Sequence, residues 1–161
     1  ETFFLRGADC WGWGTWSRAW AHYHSDGGYL LKQLVRRKEV RAFNFDNAFP
    51  FSKMLRAQVE GRVDSWAIRW YASAFIDGMF TLYPGRSLVQ NIGNDGSGEH
   101  SGQGDAYRVP LSTKPIDVER IPIKESMEAR QEFSDFLRSQ RPPIASRLRR
   151  KVMRATGWHT G

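Results

Sequence analysis

At 161 residues, the chain predicts a single domain with a modest hydrophobic core. Its hydrophobic content of 40% is typical of globular proteins, and no run of about eighteen apolar residues occurs, so no membrane-spanning helix is expected. Cys10 is the only cysteine, which excludes an internal disulfide and favours a reducing compartment such as the cytoplasm. We interpret Cys10 as a small packed residue rather than a nucleophile.

The first distinctive segment is residues 11–20, which hold four of the seven tryptophans. Thr15 is a suitable N-cap for a helix over residues 15–24. The side chains that would share one face of that helix are Trp16, Ala19, Trp20 and Tyr23. Trp11 and Trp13 precede it on a glycine-rich turn. Aromatic walls beside polar groups commonly hold a sugar ring, although each tryptophan could instead fill a core.

The middle of the chain predicts helices separated by loops. The predicted helices are 29–38, 52–60 and a third that begins at Asp64 or Ser65 and runs to Ile76. Residues 43–51 are rich in phenylalanine and predict either a loop or a short strand. Residues 79–83 predict a strand. Together these elements predict a mixed α+β fold in which helices dominate.

A glycine-rich polar segment, residues 91–100, follows that strand. Its side chains Asp95, Glu99 and His100 offer the oxygen and nitrogen atoms that bind divalent metals. Glycine permits positive φ angles and a close approach of the backbone to a ligand, so the segment favours a ligand site. An ordinary surface turn is the competing interpretation.

The composition changes near residue 105, and residues 106–161 form a predicted C-terminal extension. It contains a predicted helix at 125–139, with Met127 among the apolar residues largely on one side, and a basic amphipathic helix at 143–154. The net charge of +7 owes much to this tail. Two interpretations of the basic helix stay open: binding to an anionic membrane surface, or ordinary solvation. No nucleic-acid-binding module accompanies the charge, so we expect no nucleic-acid partner.

Three segments carry a resemblance to a known family. Residues 11–20 (WGWGTWSRAW) are similar to the Trp-Gly-Trp-Ala-Thr-Trp-x-Arg-Ala-Trp signature of bacterial family-two-like glycosyltransferases, which also resemble the eukaryotic N-acetylglucosaminyltransferase I group. This chain departs from the signature only at Gly14. Residues 64–71 and 82–93 match the family in order and spacing. Many relatives have Trp-Asp-x-x-Trp where this chain has WAIRW, so the acidic residue is displaced to Asp64 or its role is absent.

The resemblance covers roughly residues 1–105 and implies the acceptor-side half of a GT-A glycosyltransferase domain. The nucleotide-binding half of that fold ends in an Asp-x-Asp motif, which this sequence lacks. The resemblance therefore implies the C-terminal portion of a longer, metal-dependent enzyme. The implied partners are a nucleotide diphosphate sugar, which donates a hexose or N-acetylhexosamine, and a glycan acceptor. The implied acceptor is a surface polysaccharide precursor or a lipid-linked glycan.

The same resemblance implies roles for individual residues. Asp64 would be the general base that deprotonates the acceptor hydroxyl, and a helix N-terminus favours the ionised carboxylate. An N-cap role for Asp64 is the alternative. His100 would be the ligand of Mn²⁺ or Mg²⁺. The predicted substrate-binding residues are Trp11, Trp13, Trp66, Arg69, Asp95 and Glu99. For Arg69 the options are contact with the diphosphate, or an ion pair with Asp46 or Asp77.

Two other classes of function stay open at the level of sequence. One is a non-catalytic carbohydrate-binding or protein-interaction module that keeps the aromatic cleft. The other is a peripheral membrane adaptor that acts through residues 106–161. The expected location in each case is the cytoplasm, including the inner face of the membrane.

Overall fold

The computed structural model describes residues 1–90 and 109–141 of the chain. Their elements, in chain order, are β1 (Thr2–Leu5), α1 (Ser17–Trp20), α2 (Gly27–Arg36), α3 (Val40–Phe43), α4 (Phe51–Val59), α5 (Trp66–Ile76), β2 (Thr81–Pro84) and α6 (Met127–Ser139). Helices dominate a mixed α and β structure, as the sequence predicts. The predicted helix at 143–154 and the segment 91–108 lie outside the described residues.

The core lies between α2, α4 and α5, which pack against one another. The side chains that are almost completely buried are Leu30, Leu34, Phe43, Leu55 and Phe75. In α2 the leucines at 30 and 34 are one turn apart and face inward, while the cap residue Asp26 accepts a hydrogen bond from the amide of Tyr29. Burial of these apolar side chains is the main driving force for the helical layer.

Helix α5 is the central element of that layer. Its residues from Trp70 to Ile76 are all buried, as expected of a helix that is apolar around most of its circumference. Ser65 begins the helix and its hydroxyl accepts a hydrogen bond from the amide of Ile68. The cap is therefore Ser65, and the predicted alternative role of Asp64 as the N-cap is wrong. The buried hydroxyl of Tyr71 donates to the carbonyl of Phe43 at 2.7 Å, which ties α5 to α3.

A two-stranded antiparallel sheet pairs β1 near the start of the chain with β2, which follows α5. In its register, Phe3 pairs with Tyr83 and Phe4 with Leu82, and the rings of Phe3 and Tyr83 stack at 5.9 Å. The sequence predicted the second strand approximately, at 79–83, but gave no sign of the first. Strand β1 is only four residues long and lacks clear alternation, so its sequence does not predict it. It forms because it pairs with β2 in the folded chain.

Residues 43–51 form the predicted loop and not the alternative strand: a one-turn helix, α3, ends at Phe43, and a tight turn follows it. Phe45, Asp46 and Asn47 have positive φ angles of 48°, 53° and 63°. Arg130 of α6 stabilises this turn, since its guanidinium donates to Asp46 at 3.1 Å and lies 4.9 Å from the centre of the Phe45 ring. A strand is excluded because three consecutive left-handed residues reverse the chain.

Helix α6 begins after Ser126, whose hydroxyl accepts a bond from the amide of Ala129. Its buried residues are Arg130, Ser134 and Leu137, and Leu137 joins the main core. Met127, which the sequence groups with the apolar side of this helix, is exposed at its first turn. The amide of Ser126 donates to the carbonyl of Phe4, so this segment lies against β1. Division of the chain near residue 105 stays a prediction.

The predicted helix over residues 15–24 is only one turn long in the structure. Its N-cap is Trp16, which makes no side-chain capping bond, so the predicted capping by Thr15 is wrong. The chain leaves the helix after Trp20 because tertiary contacts compete with further helical turns: Tyr23 stacks on Trp20, and the amide of His24 donates to the hydroxyl of Ser73. Among residues 1–90 and 109–141, no helix is both long and apolar enough to cross a lipid bilayer.

Candidate functional site

Four tryptophans from two separate segments converge at the beginning of α5. Trp13 lies 5.8 Å from Trp66 and 5.9 Å from Trp70, measured between ring centres. Trp20 lies 5.2 Å from Trp70 and stacks on Tyr23 at 4.8 Å with nearly parallel rings. Trp66 and Trp70 are one helical turn apart, so they share a face of α5. Their faces and edges form one continuous aromatic surface.

An open groove of about 370 Å³ lies on this surface. The residues that line it are Trp13, Thr15, Trp20, Tyr23 and Trp66. Trp66 is 45% exposed and Trp20 is 40% exposed, although both pack against other rings of the cluster. Aromatic faces left open to solvent, with a threonine hydroxyl at the edge, suit the apolar C–H face of a sugar ring.

The turn that carries Trp13 is held by hydrogen bonds from its preceding residues. The carboxylate of Asp9 accepts a bond of 2.8 Å from the amide of Trp11. The amide of Asp9 in turn donates to the hydroxyl of Tyr83, at the end of β2. Burial raises the pKa of Tyr83, so this hydroxyl stays protonated over the physiological range. The sheet therefore positions the turn from which Trp13 enters the groove.

Gly12 has a positive φ of 59°, and its backbone lies against Val89. A Cβ at this position would collide with the Val89 side chain, so both the backbone angle and the close contact require glycine here. At Gly14 a Cβ would meet nothing within 4 Å. Alanine would therefore fit at this position without a steric clash.

Asp64 and Arg69 lie at the same end of α5 as the aromatic groove. The side chain of Asp64 is 97% exposed and stands 3.5 Å from a guanidinium nitrogen of Arg69. Arg69 is largely buried, at 19% exposure, and donates to the carbonyl of Ser25. Its Nε is buried with no hydrogen-bond partner among the described residues. The pair presents an exposed carboxylate whose orientation is set by a partly fixed cation.

The predicted ion pairs of Arg69 with Asp46 or Asp77 are both wrong. Asp46 pairs with Arg130, which is held near it by the packing of α6. Asp77 pairs with His22 at the other end of α5. Arg69 lies too near the N-terminal end of the helix to compete for either carboxylate, and it takes Asp64 instead.

The structure brings together only some of the residues that the sequence predicts for a site. Trp13 and Trp66 share the groove, while Trp11 is half exposed and does not line it. Trp20 and Tyr23 also line the groove. Their sequence spacing predicts a shared helical face, but not a place in the site. The predicted residues Asp95, Glu99 and His100 lie outside the described residues. Within the described ranges, no three His, Cys, Asp or Glu side chains are grouped closely enough to hold a metal ion.

Cys10, beside the tryptophan turn, has the environment expected of a packed residue. Burial, together with the nearby charge of Asp9, raises the pKa of the Cys10 thiol to about 11. Its Sγ lies 3.7 Å from the carbonyl of Ala8. A thiol in this state is a poor nucleophile at neutral pH.

Comparisons of the chain with protein-family models, with curated proteins and with solved structures give no match. The geometry of the aromatic groove and the sequence motifs are therefore the features that bear on function.

Proposed function

We propose that this chain is the acceptor-binding portion of a metal-dependent glycosyltransferase that uses a nucleotide diphosphate sugar. The acceptor is a surface polysaccharide precursor or a lipid-linked glycan, and the transferred sugar is a hexose or an N-acetylhexosamine. The proposal includes a cytoplasmic location, at the inner face of the membrane where such acceptors are assembled. The single free cysteine agrees with that compartment.

The observation that supports the proposal most directly is the exposed aromatic groove. Trp13, Trp20 and Trp66 leave ring surface open to solvent although they pack against one another. A soluble domain gains free energy when such rings are buried, so rings that stay exposed around a groove favour a ligand that covers them. Flat ring surfaces with few polar atoms select the C–H face of a pyranose ring, while hydroxyl contacts at the edge orient it.

Asp64 is the proposed general base. Its carboxylate is fully accessible, and it precedes the groove residue Trp66 by only two positions in the chain. Because Ser65 serves as the helix cap, the carboxylate of Asp64 is not consumed by backbone amides. A base must reach the acceptor hydroxyl directly or through one water molecule, and an exposed carboxylate two positions before Trp66 suits this proposed role.

The metal part of the proposal depends on the sequence resemblance. His100, with Asp95 and Glu99 nearby in the sequence, supplies donor atoms that suit Mn²⁺ or Mg²⁺. The metal would neutralise the charge of the leaving diphosphate. Arg69, whose terminal guanidinium nitrogen lies 3.5 Å from the exposed carboxylate of Asp64, is the cation that we propose to contact the same diphosphate.

Binding of saccharides to the purified chain is the first test. Soluble mono- and disaccharides, including glucose, galactose, N-acetylglucosamine and chitobiose, would be titrated while tryptophan fluorescence and NMR shifts are followed. We expect Trp66→Ala and Trp20→Ala to weaken binding about tenfold, since an aromatic contact contributes roughly 1.4 kcal/mol. Trp16→Ala is the matched control, because Trp16 is 68% exposed and does not line the groove.

If all three variants bind equally, or if no saccharide binds, the groove is not a sugar site. Circular dichroism of each variant would verify that the helical content is unchanged. The binding test alone does not separate an enzyme from a carbohydrate-binding module, and a second experiment serves that purpose.

Turnover would be measured with the protein that the whole reading frame encodes. The substrates would be a nucleotide diphosphate sugar and the saccharide that binds best. We expect Asp64→Asn to lower turnover by a factor of about 10² to 10⁴ with little change in saccharide affinity. Wild-type turnover in this variant would reject Asp64 as the base. Saccharide binding without any transfer from several donor sugars would instead favour the non-catalytic module. Metal dependence that is identical in His100→Ala would reject His100 as a ligand.

A further inference from the structure

A second surface, unrelated to the aromatic groove, combines positive charge with exposed apolar side chains. It is formed by α2 and α4, which pack side by side and contain no aspartate or glutamate between their first and last residues. The exposed cations on these two helices are Lys32 and Arg36 of α2 and Lys53 and Arg56 of α4. We call this surface the α2–α4 face.

A groove of about 410 Å³ runs along the α2–α4 face. The residues that line it are Gly28, Leu31, Lys32, Val35, Arg36 and Arg56. Its floor is thus aliphatic and its rim is cationic. Val35 is 56% exposed, and Val59 of α4, which lies beside Gly28, is 45% exposed, so apolar side chains are exposed on the same face as the charges.

No acidic side chain in the described part of the chain pairs with the cations of the α2–α4 face. None of the ion pairs within residues 1–90 and 109–141 involves Lys32, Arg36, Lys53 or Arg56. The nearest acidic residues in sequence stand at the helix ends and are engaged elsewhere. Asp26 caps α2, Glu60 pairs with Arg62, and Glu39 pairs with Arg6.

We propose that the α2–α4 face docks on an anionic membrane surface, with its cations at the lipid phosphates and Val35 and Val59 in the boundary between headgroups and acyl chains. Long basic side chains can keep their charge at the headgroups while their stems cover apolar surface. Each cation near an anionic leaflet strengthens binding severalfold, and exposed aliphatic side chains add the hydrophobic contribution.

A lipid surface is favoured over an acidic protein segment by the chemistry of the face. It offers cations and aliphatic groups spread over two helices, and the groove lining includes no carboxylate, amide or hydroxyl side chain. A protein partner is usually recognised by oriented polar contacts as well as by charge. A fluid anionic surface needs only charge and insertion, which this face supplies.

The inference does not depend on saccharide binding. It concerns different residues from the aromatic groove, and it would stand even if the chain were not part of a glycosyltransferase. The two proposals can fail separately, because vesicle binding and saccharide binding are measured by independent assays.

The test is sedimentation of the full chain with vesicles of phosphatidylcholine alone and of phosphatidylcholine mixed with phosphatidylglycerol. We expect binding only to the anionic vesicles, weakened by added salt. The double variant Lys32→Glu with Arg36→Glu should lose about thirtyfold in affinity or more, since each cation contributes about fivefold. The matched control is Arg120→Glu with Lys124→Glu, which gives the chain the same net charge as the double variant. These two residues are exposed and lie outside α2 and α4, just before the α6 segment that lies against β1.

A second variant isolates the apolar part of the interaction. Val35→Ser leaves every charge in place and should still weaken vesicle binding severalfold, because it removes an exposed aliphatic side chain. Since Val35 is exposed, this change should not affect folding, which circular dichroism would verify.

Three results would overturn the proposal. Equal loss in the charge-reversal variant and its control would show that net charge alone drives binding. Unchanged binding in the Lys32 and Arg36 variant would assign membrane affinity to another part of the chain, such as the basic tail. Binding to an acidic helical peptide but to neither vesicle would identify the partner of the face as a protein.

Discussion

Val89 packs directly over the backbone of Gly12, so closely that a Cβ on the glycine would stand 2.9 Å from the Cβ of Val89. This contact joins the tryptophan turn to the segment that leads from β2 into residues 91–108. The tryptophan turn and the chain at Val89, two positions before residue 91, are therefore neighbours in space. Any role for the glycine-rich segment in the same site requires this proximity.

Gly12→Ala should destabilise the tryptophan turn. The left-handed backbone costs about 1–2 kcal/mol for a residue with a Cβ, and the collision with Val89 adds to it. We expect a lower urea midpoint and, because Trp13 follows directly, weaker saccharide binding. Gly14→Ala is the matched control and should leave both unchanged, since its Cβ would meet open space. Equal effects of the two substitutions would contradict this account of the turn.

Substitutions of Ser65 and Asp64 should show that, at the beginning of α5, Ser65 contributes to stability and Asp64 does not. Ser65→Ala removes the hydroxyl that accepts from the amide of Ile68 and should cost about 1 kcal/mol of unfolding free energy. Asp64→Ala should leave the unfolding free energy close to that of the wild type, because this carboxylate is exposed and outside the cap. Urea denaturation measures both. A larger loss for Asp64→Ala would mean that its pair with Arg69 is a structural contact.

Arg130 should be the most sensitive charged residue in the described part of the chain. Its buried guanidinium pairs with Asp46 and Glu125 and donates to the carbonyl of Ala42. Arg130→Met leaves the carboxylates of Asp46 and Glu125 without this partner and should cost about 3–5 kcal/mol. Arg138→Met, at an exposed ion pair on the same helix, should have little effect on the urea midpoint. Similar midpoints for both variants would show that α6 is not held by this network.

Cys10 should react slowly with alkylating reagents. The pKa of its thiol is raised from 9.0 to about 11 by burial and by the charge of Asp9, and only the thiolate reacts. The rate with iodoacetamide should therefore rise with pH towards a midpoint near 11 in the folded chain. In urea the midpoint should fall to the ordinary value near 9.0.

The same shift has a consequence for stability. A folded-state pKa that is higher than the unfolded one gives a contribution that is complete below pH 9.0 and is lost as the pH rises towards 11. Urea midpoints should therefore decline over this alkaline range. A Cys10→Ala variant with the same decline would show that other groups cause it.

The sequence predicted some elements well because their signals are local. The helices near α2, α4 and α5 follow from apolar periodicity, from the candidate cap Ser65, and from the glycine at 61 that ends one of them. Strand β2 follows from a short run of β-favouring residues. These patterns depend on neighbours within a few positions, which a single sequence displays directly.

Other features could not be predicted because they depend on distant partners. Strand β1 exists through its pairing with β2, and the turn at Asp46 takes a left-handed shape that Arg130 stabilises from 84 residues away. The length of α1 is limited by contacts of Tyr23 and His24 with other segments. Local propensity carries no information on these contacts.

By itself the sequence determined the helix-dominated class, the concentration of tryptophan around Trp13 and the placement of Asp64 at the start of a helix, since each is a property of short stretches of chain. Only the tertiary structure decided that Trp20 and Tyr23 join Trp13 and Trp66 in one groove, and that Arg69 pairs with Asp64. The physical reason is that aromatic contacts and ion pairs depend on distance in space, which packing of the core around α5 fixes.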